Sequence, residues 1–149
     1  MMKKFIFLLA TTLCLMNTAY ATSARNLEVN KKNVIEFYDK AINQKNFEAA
    51  SKYLGPRYIQ HNPIAADGSE GLRAFIQFLR DKYPKAHNEI KHAFADGDYV
   101  ILHVHSVLVP GTRGYAIFDL FKLKNGKIVE HWDAVQDIPE KSANNNTMF

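Results

Sequence analysis

The chain has 149 residues, of which 47% are hydrophobic and 23% charged, the profile of one ordinary globular domain and not of a disordered, fibrous or coiled-coil protein. Its formal charge of +4 is mild and scattered, which argues against nucleic acid as a partner. A single cysteine, Cys14, excludes a disulfide framework.

The first element in chain order is a targeting segment. Lys3 and Lys4 precede the apolar run from Phe5 to Ala10, which continues through Leu13 and Leu15 to Ala19-Tyr20-Ala21. This is the pattern of a secretory signal peptide over residues 1–21 with an A-x-A cleavage site, so the mature chain is expected to start at Thr22 and to reach the periplasm or the exterior. A membrane anchor fits less well, because the run is short and broken by Thr11, Thr12 and Asn17. Lipidation at Cys14 fits poorly, since Leu13 precedes it where a small residue is usual. Cleavage would remove Lys3, Lys4 and Cys14, leaving a charge of +2, no thiol chemistry and no membrane association.

Val34, Phe37, Tyr38 and Ala41 recur at i, i+3, i+4 and i+7 and predict an amphipathic helix. Asn46 caps a second, shorter helix carrying Phe47, Ala50 and Leu54, which Gly55-Pro56 ends. Ser69 opens a third, with Leu72, Phe75, Ile76, Leu79 and Tyr83, stopped by Pro84. From there the period changes to two. Strands are predicted over Asn88 to Ala95, Tyr99 to Val109, Tyr115 to Leu123 and Lys127 to Gln136, separated by the turn signals DGD, PGTRG and KNGK. Helices followed by antiparallel strands give an α+β domain over residues 22–140, the helices covering one face of a curved sheet. The Asn-rich residues 141–149 are expected to be a flexible tail.

Within the third strand, IFDLFKL places Asp119 among apolar neighbours. A buried carboxylate is penalised by desolvation and its pKa rises, which poises it for acid/base work. The bland alternative is a half-exposed strand with Asp119 facing water; apolar residues on both parities argue against it. His103 and His105 in ILHVHSV share a face with Ile101 and Val107. They read either as proton donors or ligand handles, or as one core histidine satisfied by the backbone and one near the edge. An H-x-H pair can also bind metal, but no carboxylate lies at a diagnostic spacing, so no metal site is assigned.

The partner of Asp119 depends on the KNGK turn. A two-residue Asn125-Gly126 turn sets Asp119 opposite Trp132, whereas a three-residue loop from Lys124 to Gly126 sets it opposite His131, beside Phe121 and Val129. The three-residue form is favoured here because it pairs Asp119 with His131. In RYIQHNPIAADG, Tyr58 and His61 lie in an extended segment that passes the open end of the sheet, so His61 is a further candidate.

Taken together, YIQHNP, GYAIFDLFKL and NGKIVEHWD resemble the SnoaL-like polyketide cyclases of the nuclear transport factor 2-like superfamily, over about Val34 to Glu140. The resemblance implies a cone-shaped, cystatin-like α+β barrel whose curved antiparallel sheet wraps around N-terminal helices. It further implies a deep apolar pocket and a homodimer formed through the sheet. It makes Asp119 the acid/base of an intramolecular aldol cyclisation of a small apolar carbonyl compound, with His61, His103 and His131 in the pocket. Tyr58, His105, Phe121 and Trp132 are expected to contact the substrate, and no cofactor is needed. Two other functions stay open on this scaffold: a non-catalytic secreted domain that binds a small ligand or partner, and a dehydratase or isomerase.

Overall fold

The computed structural model describes residues 24–149; the predicted signal peptide and its cleavage site lie outside the described residues. Helix α1 covers residues 24–38 and runs into a π-helical turn, Asp39–Asn43. The predicted stripe is its buried side: Val34, Phe37, Tyr38 and Ala41 are all buried. The turn is clipped to the sheet by Asn43, whose Oδ1 accepts the Asn88 N–H at 2.9 Å and whose Nδ2 donates to the Asn88 carbonyl at 3.0 Å.

Helix α2, Phe47–Ala50, starts where expected, with the Asn46 side chain accepting the Ala49 N–H at 3.0 Å, a bond that satisfies one of the orphan donors of the first turn. It is shorter than its apolar pattern suggested. After a 3-10 turn, Ser51–Tyr53, the chain is extended from Leu54. Strand β1, Leu54–Gln60, was not foreseen as a strand, because Gly55-Pro56 reads as a break. An edge strand tolerates that pair, since proline cannot donate to a ladder and is confined to such positions. Helix α3, Gly68–Lys82, buries Leu72, Ile76 and Leu79 and leaves Phe75 exposed.

Strands β2 (His87–Asp96), β3 (Tyr99–Val107), β4 (Tyr115–Lys124) and β5 (Lys127–Asp137) follow, close to their predicted limits. The five strands form one curved open sheet in the order β1-β5-β4-β3-β2, antiparallel except for the parallel β1–β5 pair. Its concave face packs on the helices through Val100, Leu102, Val104, Phe121, Leu123 and Ile128, which share one core with Val34, Phe37, Tyr38, Phe47, Tyr58 and Ile76.

The hairpin between β4 and β5 corrects the favoured register. The turn is the two-residue one: Asn125 and Gly126 have φ of 54° and 73°, and Lys124 faces Lys127. Positive φ at both central residues is the twist that two-residue hairpins require. The ladder then slips by one, because Leu123 pairs with Ile128 but Lys122 pairs with Glu130. Val129 is thus an extra residue in β5, a β-bulge. Beyond it Asp119 lies opposite Asp133, and His131 lies opposite Phe121; neither predicted residue stands directly across the ladder from Asp119.

Candidate active site

Period two decides which polar side chains reach the helix-covered face. On β4, Asp119 and Phe121 point inward; on β5, His131 and Asp133 do; on β1, Tyr58 and Gln60 do, followed by Asn62 just beyond the strand. Tyr38 enters from α1. These side chains form one polar cluster between sheet and helices.

His131 Nε2 lies 3.0 Å from Asp119 Oδ1, both groups being buried. Its other nitrogen, Nδ1, lies 3.1 Å from Gln60 Oε1. That oxygen already accepts the backbone N–H of Asn62 at 2.9 Å, while Gln60 Nε2 donates to the Tyr58 hydroxyl at 3.3 Å, so the orientation of the amide is fixed by its neighbours. A carbonyl oxygen only accepts, so Nδ1 of His131 carries a hydrogen. The contact from Nε2 to Asp119 then needs a proton of its own: a carboxylic acid donating to imidazole, or an imidazolium donating to carboxylate. Asp119 and His131 therefore form a unit that holds one proton between them.

Asp119 is 5% exposed, and desolvation by burial raises its pKa. The bond to His131 and its charge pull the other way; the Asp133 carboxylate across the ladder raises it again, and the nearby Tyr38 hydroxyl lowers it, leaving a net rise. Oδ2 of Asp119 is buried without a hydrogen-bond partner of ordinary geometry. A buried acceptor left unsatisfied is costly, and such sites in native proteins are associated with function. Burial also pushes the hydroxyls of Tyr38 and Tyr58 upward, helped by the charges of Asp119 and Asp133, so both stay protonated as donors. Asp133 is held by Asn62, whose Nδ2 lies 2.7 and 2.9 Å from its two carboxylate oxygens. Phe121 packs beside this network, its ring 4.7 Å from that of His131 and 5.8 Å from that of Phe37.

Among the described residues, Asp119, His131 and Asp133 also offer three ligand atoms within 4.8 Å of one another, a donor set suited to a divalent cation. As they stand, these groups are engaged by the shared proton and by Asn62, and the cluster is a hydrogen-bond network.

Of the predicted site residues, Asp119, His131, Tyr58 and Phe121 come together here. Four others do not. His61 turns to the convex side, its ring stacked on Trp132 at 4.2 Å and its Nε2 3.1 Å from Glu130; Trp132 shares that face because it alternates with His131 and Asp133. His103 lies opposite Phe118, not Asp119, and with His105 belongs to the convex face. The ring of His103 stacks on Phe118 at 4.3 Å with its Nδ1 3.3 Å from that of His92, and Nε2 of His105 lies 2.8 Å from the Arg113 carbonyl; the backbone satisfies one histidine of the pair, as the bland reading has it, but that one is His105 and not the buried His103. Tyr38, Gln60, Asn62 and Asp133 were missed. Asp133 and Asn62 carried a signal, since they lie two residues after His131 and Gln60 and share their parity. Tyr38 had none, being indistinguishable from a core position on α1.

A curved open sheet with helices on its concave face and a buried, proton-sharing Asp–His pair defines an α+β protein with acid/base groups enclosed between sheet and helices. Residues 34–131 match the SnoaL-like domain, and the chain belongs to the SnoaL-like family. No curated protein sequence matches it significantly. Among solved structures, it is similar to TsrD from Streptomyces laurentii, at 20% identity and a TM-score of 0.61, over 71% of this chain and 87% of that one. It is also similar to IdmH, a proposed polyketide cyclase from Streptomyces antibioticus, at 18% identity and TM-score 0.60, over 71% and 91%. A proposed ketosteroid isomerase from Kribbella flavida aligns at 14% identity and TM-score 0.65, over 80% and 86%. At these identities the likeness establishes the fold.

Proposed function

We propose that the protein is an enzyme that moves a proton on a small, largely apolar carbonyl compound, in an aldol-type cyclisation or an isomerisation. The single observation that carries this reading is the buried one-proton Asp119/His131 unit, with Oδ2 of Asp119 lacking a hydrogen-bond partner of ordinary geometry beside the Tyr38 hydroxyl. In its carboxylate state Asp119 removes a proton from the carbon next to a carbonyl, and the bond's electron pair moves into an enolate. The hydroxyl of Tyr38 or Tyr58 donates to the enolate oxygen; donors preset in a dry site stabilise developing charge best. In cyclisation, the enolate carbon attacks a second carbonyl of the same molecule, a carbon–carbon bond forms, and the new alkoxide takes back the proton. In isomerisation the proton returns to a different carbon. Proton transfer of this kind needs no cofactor.

The test is turnover of a panel of enolisable diketones, followed by NMR in heavy water. The wild-type chain should exchange the proton next to the carbonyl for deuterium, and Asp119→Asn should lose about 10²-fold or more, the usual scale for a positioned general base. An Asp119→Asn variant with full turnover overturns the proposal. If neither chain turns over any compound and the substitution changes only affinity, the protein is a binding domain; loss of a hydroxyl from the product would mark a dehydratase.

We further infer that the chain is exported to the periplasm or beyond and works as a homodimer. The Lys3-Lys4 start, the apolar run and Ala19-Tyr20-Ala21 support export, and among the described residues no helix is long and apolar enough to cross a membrane. An exported enzyme meets compounds that arrive from outside, so its substrate differs from one handed over inside a cell. The family resemblance and the apolar convex face support the dimer. N-terminal sequencing of the secreted chain and sedimentation of the purified protein test the two points.

A further inference from the structure

The convex face of the sheet carries a row of rings unrelated to the site. Phe94 and His92 lie 6.1 Å apart with planes 15° apart, His92 and His103 5.6 Å apart at 14°, and His103 and Phe118 4.3 Å apart at 5°. The row crosses from β2 to β4. Its ends are open to solvent: Phe94 is 61% and Phe118 52% exposed, and Tyr99 and Ile101 continue the apolar surface. Exposed aromatic rings in one contiguous patch mark an interaction surface.

One part of this face is already covered by the chain itself. Residues 141–149 have no regular secondary structure, yet their end returns to the sheet. The Phe149 ring lies 5.2 Å from that of His103 and 4.8 Å from that of His105, with Lys91 Nζ 5.6 Å above it. Met148 forms part of the wall of a groove of about 250 Å³ whose other walls include His103, Ala116, Phe118, Ala134 and Gln136. The segment thus sits in the middle of the apolar face, next to its most exposed rings.

We propose that residues 141–149 are an intramolecular cover for the convex face and that they compete with a second copy of the chain for it. This rests on the homodimer reading above. The face suits a second copy because it presents both charge signs, Lys91 with Glu89 and Lys122 with Glu130, paired at 2.7 and 2.9 Å; two identical patches then meet without net repulsion, as an isologous contact requires. Phe149 and a partner's sheet cannot both occupy the space above His103 and His105. Association therefore requires release of the segment, and the segment sets the concentration at which copies pair.

The experiment compares three chains by sedimentation: the full chain, one ending at Glu140, and the full chain with Phe149→Ser. In parallel, the ring resonances of His103 and His105 are followed by NMR at concentrations where each chain is monomeric. Shifted His103 and His105 signals in both altered chains, with dimer formation tightened tenfold or more, support the cover. Equal or weaker dimer formation on removing the segment overturns the competition and leaves the homodimer standing. Unshifted histidine signals overturn the docking itself. If none of the three chains self-associates, the homodimer reading falls and the competition with it.

Discussion

Asp119 and His131 meet on a diagonal. Asp119 stands directly opposite Asp133 and His131 opposite Phe121, yet His131 Nε2 reaches Asp119 Oδ1 at 3.0 Å. The extra residue Val129 creates this offset by shifting β5 one position past its two-residue turn. Without the bulge, every side chain of β5 beyond it would change faces, and Trp132 would take the inward place.

Gly55 of β1 packs closely against the bulge. A Cβ on Gly55 would lie 2.8 Å from Val129 Cγ1, and valine is too short and stiff to move aside. Gly55→Ala should therefore destabilise the fold by about 1–3 kcal/mol, the usual cost of overpacking. Val129→Ala should recover most of that loss in the double variant. Urea denaturation of the four chains in this cycle measures the coupling; additive losses would mean that Gly55 and Val129 do not support one another.

How far the sequence could be read follows from the same strands. Period-two alternation marked β2 to β5 and the i, i+3, i+4 stripes marked α1 and α3, because burial of one face is a repeating demand that leaves a repeating trace. Asp119 was legible for that reason, whereas His131 was set beside it only through a three-residue turn that the structure replaces with a two-residue one and a bulge. The bulge was not legible, because Ile128 and Val129 are both apolar and the shift in alternation between them leaves no trace in residue type; it shows only when two strands are laid side by side. The same blindness misplaced His61 and Trp132, whose faces are set by that slip and by the unforeseen strand β1. His103 was misplaced for a simpler reason: its parity was read correctly within β3, but which face held the helices depends on Leu102, not His103, being opposite Asp119.

The convex position of His61 and His103 leads to a contrast in variants. His61→Ala removes a stack on Trp132 and an exposed contact to Glu130, interactions worth no more than about 1 kcal/mol each. His103→Gln leaves the concave cluster untouched. Both should retain turnover within about threefold, inside the tenfold that about 1.4 kcal/mol would bring, whereas Asp119→Asn loses it. Steady-state assays of the three on one substrate decide this; a large loss in His61→Ala would return that histidine to the chemistry.

Tyr38 offers a separable test. Its hydroxyl holds the Asp119 pKa down, so Tyr38→Phe should raise that pKa further. If the hydroxyl also donates to the enolate, turnover falls by about 10²–10³, as when one such donor is removed elsewhere. Carbon-detected NMR of the Asp119 carboxyl reads the first effect and kinetics the second. A raised pKa with unchanged turnover would leave Tyr58 as the donor.

The raised pKa of Asp119 also predicts how stability depends on pH. Burial lifts the folded value above the ordinary carboxylate value of about 3.9, so across the interval between the two the native state binds more protons than the unfolded chain. Stability contributed by this group is then complete below about pH 3.9 and is lost as pH rises through the folded value. Asp119→Asn cannot release a proton, and its amide can still donate to Nε2 of a neutral His131. The variant should therefore lack the decline that the wild-type chain shows from acid toward neutral pH and should equal or exceed it in stability at pH 7. Urea midpoints measured every half unit of pH provide the comparison. A wild-type chain whose stability instead rises over that interval, relative to Asp119→Asn, would mean that the ionised form is the favoured one, with the proton resting on His131, and Asp119 would then be the carboxylate across that interval.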